Sequence, residues 1–489
     1  MDQLLDELAD HARGSVTDVI GTAEGVELRG VTHDSRDVGR DTLFACVRGT
    51  AFDGHDYAAQ AVADGAVALL VDHPLGGIAE VPQIVVDDTR RRLGPISAAV
   101  YGHPSRDLAT VGITGTNGKT TTAQLLAAIF EEHGWQTGIV GTLHGERTTP
   151  EAPELQALLA SFKESGCGAA VMEVSSHALA LHRVDGTQFD AVVFTNLGRD
   201  HLDLHGSTEE YFRAKARLFD PAFSPLAVIN VDDTYGRLLA DTLQVNSSRG
   251  DDDIRVVPIS ADDLDDLVVD GSSHSYRWGA IEVTVPIGGH FNVANSHAAL
   301  VTAVELGVEP HVAVAGLAAT NPIPGRFEAV PAATARGLTV VVDYAHTPDG
   351  LAEVLRSARA IADTGSTVAI VFGAGGDRDR EKRPEMGAVV ARLADRVIVT
   401  SDNPRHEEPN AIIRDILGGM NDTDVDIQVE PDRRTAIAAG LAPLTPGDVL
   451  VVAGKGHERT QDLGDRVVDF DDRAVITELL EADLLGGRA

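Results

Sequence analysis

Gly115-Thr116-Asn117-Gly118-Lys119-Thr120-Thr121 puts two glycines, a lysine and hydroxyls directly after the apolar run Ala109-Thr110-Val111-Gly112-Ile113-Thr114. Glycines let backbone fold around a phosphate, N–H groups at a helix start face the anion, and Lys119 adds a point charge. Thr120 Oγ is then placed to ligate Mg²⁺, so ATP binding is the chemistry expected of residues 115–121. The spacing G-x-x-x-x-G-K-[ST] would need glycine at 113, where Ile113 stands; Gly115 and Gly118 supply the turn instead. The bland alternative is a glycine-rich turn that only joins a strand to a helix.

Two more apolar runs end in polar clusters. Ala169-Ala170-Val171-Met172 leads into Glu173-Val174-Ser175-Ser176-His177, and Asp190-Ala191-Val192-Val193-Phe194 leads into Thr195-Asn196-Leu197-Gly198-Arg199-Asp200-His201. Ligands of open α/β sheets sit at the carboxyl ends of strands, so Glu173 and His201 can converge on Mg²⁺; each is equally readable as a solvated strand-end or loop residue. Ser207-Thr208-Glu209-Glu210 reads as a capping box that opens a helix over Glu209 to Phe219. Lys215 shares a helix face with Tyr211 and Leu218. Partial burial there would lower its pKa, and a neutral amine can take up CO₂ as a carbamate, an acceptor for metal. Taken alone, the pattern favours a lysine whose stem covers apolar surface while its head stays in water.

The elements that must carry these residues are short Val, Ile and Ala runs alternating with amphipathic helical stretches, the mark of an α/β protein with parallel sheets. Strands are predicted near 65–72, 83–87, 338–344, 367–373, 396–401, 426–429 and 449–453. Breaks at Tyr101-Gly102-His103-Pro104-Ser105 and Asn321-Pro322-Ile323-Pro324-Gly325-Arg326 divide 489 residues into three blocks. They are a small N-terminal α/β domain over 1–106, a central P-loop ATPase-type parallel sheet over 107–328 with β/α alternation throughout, and a C-terminal Rossmann-like doubly wound domain over 329–489.

The 40 Lys and Arg against 75 Asp and Glu leave a net charge of −35, which repels nucleic acid and anionic lipid alike, so neither partner is expected. An anionic small substrate would need local cations. Cys46 and Cys167, the two cysteines, lack metal-site spacing and read as small core residues of a reducing cytosol. No export signal opens the chain, and no apolar run approaches the roughly 20 residues of a membrane span, so a cytoplasmic protein is expected.

Together the phosphate loop, Glu173-Val174-Ser175-Ser176-His177, Thr195-Asn196-Leu197 with Asp200-His201, and Tyr211 with Ala214-Lys215 resemble the Mur ligase family. So do Asn292 and Asn295, Pro324-Gly325-Arg326-Phe327-Glu328, and Asp343-Tyr344-Ala345-His346-Thr347-Pro348. His33-Asp34-Ser35-Arg36, Asp53-Gly54-His55, the stretch 373–384, Asp402-Asn403-Pro404-Arg405 and Gly454-Lys455-Gly456-His457-Glu458 narrow the resemblance to one branch. That branch adds meso-diaminopimelate to UDP-N-acetylmuramoyl-L-alanyl-D-glutamate (UDP-MurNAc-L-Ala-D-Glu) in peptidoglycan precursor synthesis. The resemblance implies an ATP-dependent, ADP-forming acid–amino acid ligase: the D-Glu γ-carboxylate is phosphorylated and the diamino acid's amine attacks the acyl phosphate.

It also implies roles. Lys119, Glu173, His201 and Lys215 are catalytic, and Thr120, Glu173, His201 and a carbamylated Lys215 form the Mg²⁺ site, which reverses the bare reading of Lys215. Asn295, Arg326, Asp343 and His346 join residues 115–121 around ATP. Ser35, Thr148, Thr149, Ser175 and Arg183 meet the UDP-MurNAc-dipeptide, whereas Arg378, Asp402, Asn403, Arg405, Gly454 and Glu458 form the diaminopimelate pocket. Guanidinium pairs bidentately with carboxylate, and L-lysine, lacking the second carboxylate, would leave Arg405 unpaired. No general base is indicated, and a monomer is expected.

The family pattern is departed from at one place: five residues separate Gly141-Thr142 from Thr148-Thr149-Pro150, a tight connection, and Arg147 stands where asparagine is common. The rival readings are a sister ligase with L-lysine or glutamate as acceptor (of the folylpolyglutamate synthase kind), a non-ligase P-loop ATPase, and a pseudoenzyme that only binds. An N-K-x-D base-recognition segment, which a GTPase-like protein would carry, is absent.

Overall fold

The computed structural model describes residues 16–49, 51–200, 202–247, 254–421 and 425–486. The central sheet contains β6 (Ala109–Thr114), β7 (Thr137–Val140), β8 (Ala169–Glu173), β9 (Ala191–Phe194), β10 (Leu226–Asn230) and β11 (Arg255–Ile259). They pair in the order β11-β10-β9-β6-β8-β7, all parallel. Both faces of such a sheet are covered, which is why β8, β9 and most of β6 are continuous buried apolar runs rather than alternating ones.

Register brings the chemistry together. Ile113 lies opposite Glu173 on one side, and Thr114 lies opposite Phe194 on the other. The residues after β6, the end of β8 and the residues after β9 therefore emerge side by side.

One part of this region departs from the expected β/α alternation. Strands β12 (Leu264–Val269), β13 (His274–Trp278) and β14 (Ile281–Val285) form a separate three-stranded antiparallel sheet. Tyr276, Val283 and Val285 on its inner face join the core cluster that holds Leu125 and Ile129. The alternation in Ile281-Glu282-Val283-Thr284-Val285 and the turn at Gly279 carried that signal.

The N-terminal sheet has the order β1 (Val16–Ile20), β5 (Gln83–Val86), β4 (Ala66–Val71), β3 (Thr42–Ala45), β2 (Gly30–Thr32), parallel except for the β1–β5 pair. Of its five strands the sequence indicated only β4 and β5. The short, edge-lying β1 and β2 bury too little to leave a pattern.

The C-terminal sheet runs β15 (Glu328–Ala329), β16 (Thr339–Asp343), β20 (Val449–Ala453), β17 (Val368–Phe372), β18 (Arg396–Val399), β19 (Asp426–Val429); only β15 is antiparallel. Helices Pro348–Ile361, Lys382–Leu393 and Pro409–Leu417 contribute to the core on one face. Arg433–Leu441 and Asp472–Gly486 contribute to the other, the doubly wound arrangement. Glu328 thus pairs within this sheet.

A fully buried ion pair ties its strand ends. Arg433 Nε and Nη2 donate to Asp472 at 2.8 and 2.7 Å, while the same guanidinium reaches Ser401 O beyond β18 and Ala453 O at the end of β20. Removing one partner of such a pair typically costs about 3–5 kcal/mol.

Candidate active site

The phosphate loop takes its shape from two glycines and from the next strand end. Gly118, at φ +89°, precedes the helix Lys119–Glu132. A Cβ there would lie 2.3 Å from Asn295 Oδ1. Asn196 clamps the loop from beyond β9: its Oδ1 accepts from Asn117 N at 2.9 Å and its Nδ2 donates to Asn117 O at 3.2 Å. Thr195 Oγ1 donates to the same carbonyl at 2.6 Å. The sequence reading gave Asn196 no role, although it stands in the Thr195-Asn196-Leu197 motif. Thr116 Oγ1 meets the Tyr211 hydroxyl at 3.1 Å and accepts from Gly198 N at 2.9 Å.

Two lysines converge on one carbonyl. Lys119 Nζ donates to Gly115 O at 2.8 Å and Thr116 O at 2.9 Å, and Lys215 Nζ donates to the same Gly115 O at 2.8 Å. Lys215 is 1% exposed, and its Nζ lies 4.6 Å from the Tyr211 ring centroid. This overturns the expectation of a head in water: the helix face bearing Tyr211 and Lys215 is packed against the phosphate loop. Burial holds the Lys215 ammonium well below its ordinary pKa, the Lys119 charge lowers it further, and Asp200 opposes both. Burial also lowers Lys119.

The helix itself spans Thr208–Ala216 and tightens into a 3₁₀ turn over Arg217–Phe219. Ser207 caps it by accepting from Glu210 N, but the Glu210 carboxylate pairs with Arg213 instead of reaching back, so the predicted capping box is half formed.

Glu173 is buried and accepts from Thr142 N at 2.8 Å, Thr142 Oγ1 at 3.2 Å and Thr120 Oγ1 at 3.0 Å. Among the described residues no lysine or arginine pairs with it. A buried carboxylate met only by neutral donors, beside a threonine hydroxyl, is an all-oxygen donor set that suits a hard divalent cation. His201 lies outside the described residues.

The opposite wall comes from the C-terminal sheet and the helix Phe291–Glu305. Asn295 Nδ2 donates to Asn292 Oδ1 at 2.9 Å, which orients its oxygen toward Gly118 and Thr122 Oγ1. Arg326 Nη2 donates to Thr120 Oγ1 at 3.0 Å, its guanidinium lies over Tyr344 at 4.6 Å, and its buried Nε has no protein partner. Asp343 accepts from Phe327 N and Ala345 N, both at 2.7 Å; burial raises its carboxyl against Arg326 and these N–H groups. Burial likewise lowers His346, whose Nδ1 meets Tyr344 O at 2.8 Å. Residues 116–121, Glu173, Lys215, Asn295, Arg326, Asp343 and His346 line one cleft of about 800 Å³, as do Thr148 and Ser175.

Farther out, Thr149 Oγ1 donates to Glu173 O at 2.8 Å and accepts from Ser175 N at 3.1 Å, while Thr148 Oγ1 lies 3.1 Å from Thr142 Oγ1. Arg183 is half-buried, with Nη2 2.6 Å from Glu151 Oε1 and Nη1 donating to Thr149 O. Arg90 takes the other Glu151 oxygen at 2.9 Å. Ser35 opens a short 3₁₀ helix capped by Asp34 and is not part of the cleft lining.

The six residues assigned to the amino acid gather at the carboxyl ends of β17, β18 and β20, outside that lining. Asn403 Nδ2 donates to Glu458 Oε2 at 2.8 Å, and Gly454 N donates to Asp343 O at 3.1 Å. A Cβ on Gly454 would meet Asp402 Oδ2 at 2.4 Å. Arg405, at φ +49°, donates through Nη1 to Gly376 O at 2.7 Å, and Arg378 flanks the same glycine turn. Arg383 braces the turn from beneath: Nη2 donates to Gly375 O at 3.1 Å and its fork holds Glu407 and Asp415. It was missed because a fully buried arginine has no pattern distinguishing it from a surface one. Tyr344 connects cluster and cleft, 5.1 Å from the His457 ring.

Comparison with known proteins follows this division of the chain. Residues 27–101 match the Mur ligase family catalytic domain, 113–303 the Mur ligase middle domain and 325–456 the Mur ligase glutamate ligase domain. A Streptomyces avermitilis protein named UDP-N-acetylmuramoyl-L-alanyl-D-glutamate--2,6-diaminopimelate ligase is 44% identical over 478 residues, 93% of either chain. Its Streptomyces coelicolor namesake is 44% identical over 98% of this chain and 96% of its own. A solved structure of a protein with that name is 31% identical with a TM-score of 0.66, covering 94% of this chain and 95% of its own. A Mycobacterium tuberculosis folylpolyglutamate synthase solved with ADP and AMPPCP shares the fold at 20% identity and TM-score 0.57, over 80% of this chain and 94% of its own. With phosphate loop, buried lysine and strand-end carboxylate in one cleft, and three domain matches and full-length relatives around them, the chain belongs to the Mur ligase family.

Proposed function

We propose that the chain is the ATP-dependent ligase that joins meso-diaminopimelate to the D-Glu γ-carboxylate of UDP-MurNAc-L-Ala-D-Glu, through an acyl phosphate, in peptidoglycan precursor synthesis. The observation that carries this is the convergence of Lys119 and Lys215 on Gly115 O beside Glu173. The names of the full-length relatives supply the acceptor.

The Lys119–Glu132 helix start and Lys119 hold the β- and γ-phosphates. Asn295 borders the nucleotide space, and Asp343 and His346 lie on the side facing the C-terminal sheet. The substrate carboxylate, brought in past Thr148, Thr149, Ser175 and Arg183 with the UDP end near Ser35, forms a bond to Pγ while the Pγ–O bond to ADP breaks. The diamino acid's amine then attacks the acyl carbon, phosphate leaves with the C–O electron pair, and the amine's proton passes to solvent. Thr120, Glu173, His201 and the Lys215 carbamate would hold Mg²⁺, which when bound neutralises charge on the transferred phosphoryl group. Burial favours the neutral form of the Lys215 amine, the form that takes up CO₂: it forms a C–N bond to CO₂ and releases one proton. Arg326 on Thr120 and Tyr344 ties closure of the C-terminal domain to the phosphate loop, excluding water from the acyl phosphate.

Domains at 1–106, 107–328 and 329–489 then bind UDP, ATP and amino acid in turn. We assign the enzyme to the cytoplasm as a monomer; no helix among the described residues is long and apolar enough to cross a membrane. The test is phosphate release from ATP and UDP-MurNAc-L-Ala-D-Glu with meso-diaminopimelate, L-lysine or L-glutamate, with the product weighed by mass spectrometry. A diaminopimelate-containing tripeptide, with little turnover of the other two, is expected; a lysine or glutamate product contradicts the assignment.

A further inference from the structure

Lys455 is a residue that the proposed reaction leaves without a task. Its side chain is fully buried, and its three N–H bonds end on three acceptors: Asn403 Oδ1 at 3.1 Å, Glu458 Oε2 at 3.0 Å and Thr460 O at 2.6 Å. A buried ammonium with its donors all engaged has nothing left for a ligand, so its effect must pass through its partners.

That effect is directional. Asn403 Oδ1 also accepts from Asp462 N at 3.0 Å, so two donors fix which end of the amide is oxygen. Asn403 Nδ2 is thereby fixed at the other end of the amide; one of its hydrogens goes to Glu458 Oε2 at 2.8 Å, and among the described residues none accepts the second. Glu458 Oε2 is saturated by Lys455 and Asn403, so its other oxygen is the one presented. The result is an N–H donor and a carboxylate oxygen side by side, next to Arg405.

We propose that Lys455 is a positioning residue for the amino-acid substrate: by pinning Asn403 and Glu458 it fixes a donor for the substrate's carboxylate and an acceptor for its ammonium group. The inference rests on the diaminopimelate reading of this cluster. Without the ammonium, the Asn403 oxygen keeps only the Asp462 N–H, and Glu458 loses the charge that holds it and, through it, Asn403 Nδ2 in place, so the amide is freer to turn its oxygen toward the incoming carboxylate.

The test uses full-length enzyme and steady-state kinetics with each substrate varied. Lys455→Met should raise KM for meso-diaminopimelate by about tenfold or more and cut the preference for diaminopimelate over L-lysine to a similar degree. KM for ATP and for UDP-MurNAc-L-Ala-D-Glu should stay within about twofold. Lys455→Gln, which keeps a donor toward Asn403, should fall between wild type and Lys455→Met. A change shared equally by all three substrates, or an unchanged diaminopimelate KM, overturns the positioning role while leaving the ligase reading intact. Wild-type enzyme that ligates another amino acid in place of diaminopimelate sinks both. Should Lys455→Met precipitate, Lys455→Gln against wild type decides by the same comparison.

Discussion

Replacing Gly118 by alanine tests the phosphate loop with one carbon atom. Two costs are built into the position. The first is conformational: φ of +89° lies where an L side chain costs about 1–2 kcal/mol. The second is spatial, because the new Cβ would sit 2.3 Å from Asn295 Oδ1 and 3.2 Å from its Cγ. Asn295 cannot swing away freely, being buried in a helix interior and bonded to Asn292 at 2.9 Å. The backbone must therefore move, and the N–H groups that face the phosphates move with it.

Gly134 isolates the first cost, since its φ is +92° and nothing lies within 4 Å of the Cβ it would gain. Gly134→Ala should lower stability by about 1 kcal/mol and leave nucleotide binding unchanged. Gly118→Ala should lose about 2–4 kcal/mol in all, divided between melting temperature and affinity for a non-hydrolysable ATP analogue, with Kd rising tenfold or more. Calorimetric titration and thermal melts of both variants measure this. If Gly118→Ala binds the analogue as wild type does and melts with Gly134→Ala, the loop does not cradle phosphate through the backbone around Gly118.

Arg405→Ala removes a cation and the donor to Gly376 O; loss of a charged hydrogen bond of about 1.5–3 kcal/mol should raise KM for diaminopimelate roughly 10- to 150-fold, with KM for ATP little changed. Lys215 must be neutral to take up CO₂, so activity in CO₂-depleted buffer should fall, bicarbonate should restore it, and ¹³C-bicarbonate should give a carbamate resonance absent from Lys215→Met. Because the folded enzyme holds Lys215 below its ordinary pKa of 10.5, the unfolded chain binds the proton more readily, so stability should fall as pH drops from about 10.5 toward the folded value and level off below it, where the carbamate is lost as well. Finally, the charge of −35 should make the enzyme salt-responsive: activity and melting temperature should rise with KCl, and flat or falling curves would count against a surface adapted to salt.

The sequence revealed those parts of the site that follow from parallel-sheet periodicity. β6, β8 and β9 are continuous apolar runs, so their carboxyl ends, and with them Lys119 and Glu173, could be located from residue order alone. What it could not supply was depth. Lys215 sits on a helix face whose apolar neighbours fit either a covering stem or a buried ammonium, and only packing against Gly115 distinguishes the two. Arg383, Arg433 and Lys455 are long cations that sequence statistics place at the surface, yet each is fully buried by partners 3 to 52 residues away. The antiparallel strands β12–β14 were hidden by an expectation of continued alternation, and Asn196 by lying in a motif without a charge to mark it.

Oxygen transfer tests the acyl-phosphate ligase directly. UDP-MurNAc-L-Ala-D-Glu carrying ¹⁸O in the γ-carboxylate is turned over with ATP and meso-diaminopimelate, and the released phosphate is weighed. One ¹⁸O per phosphate formed, with the peptide bond made in equal amount, is the result this account predicts; phosphate free of ¹⁸O would mean that ATP is hydrolysed by water and that the cleft around Lys119, Glu173 and Lys215 does not phosphorylate the carboxylate.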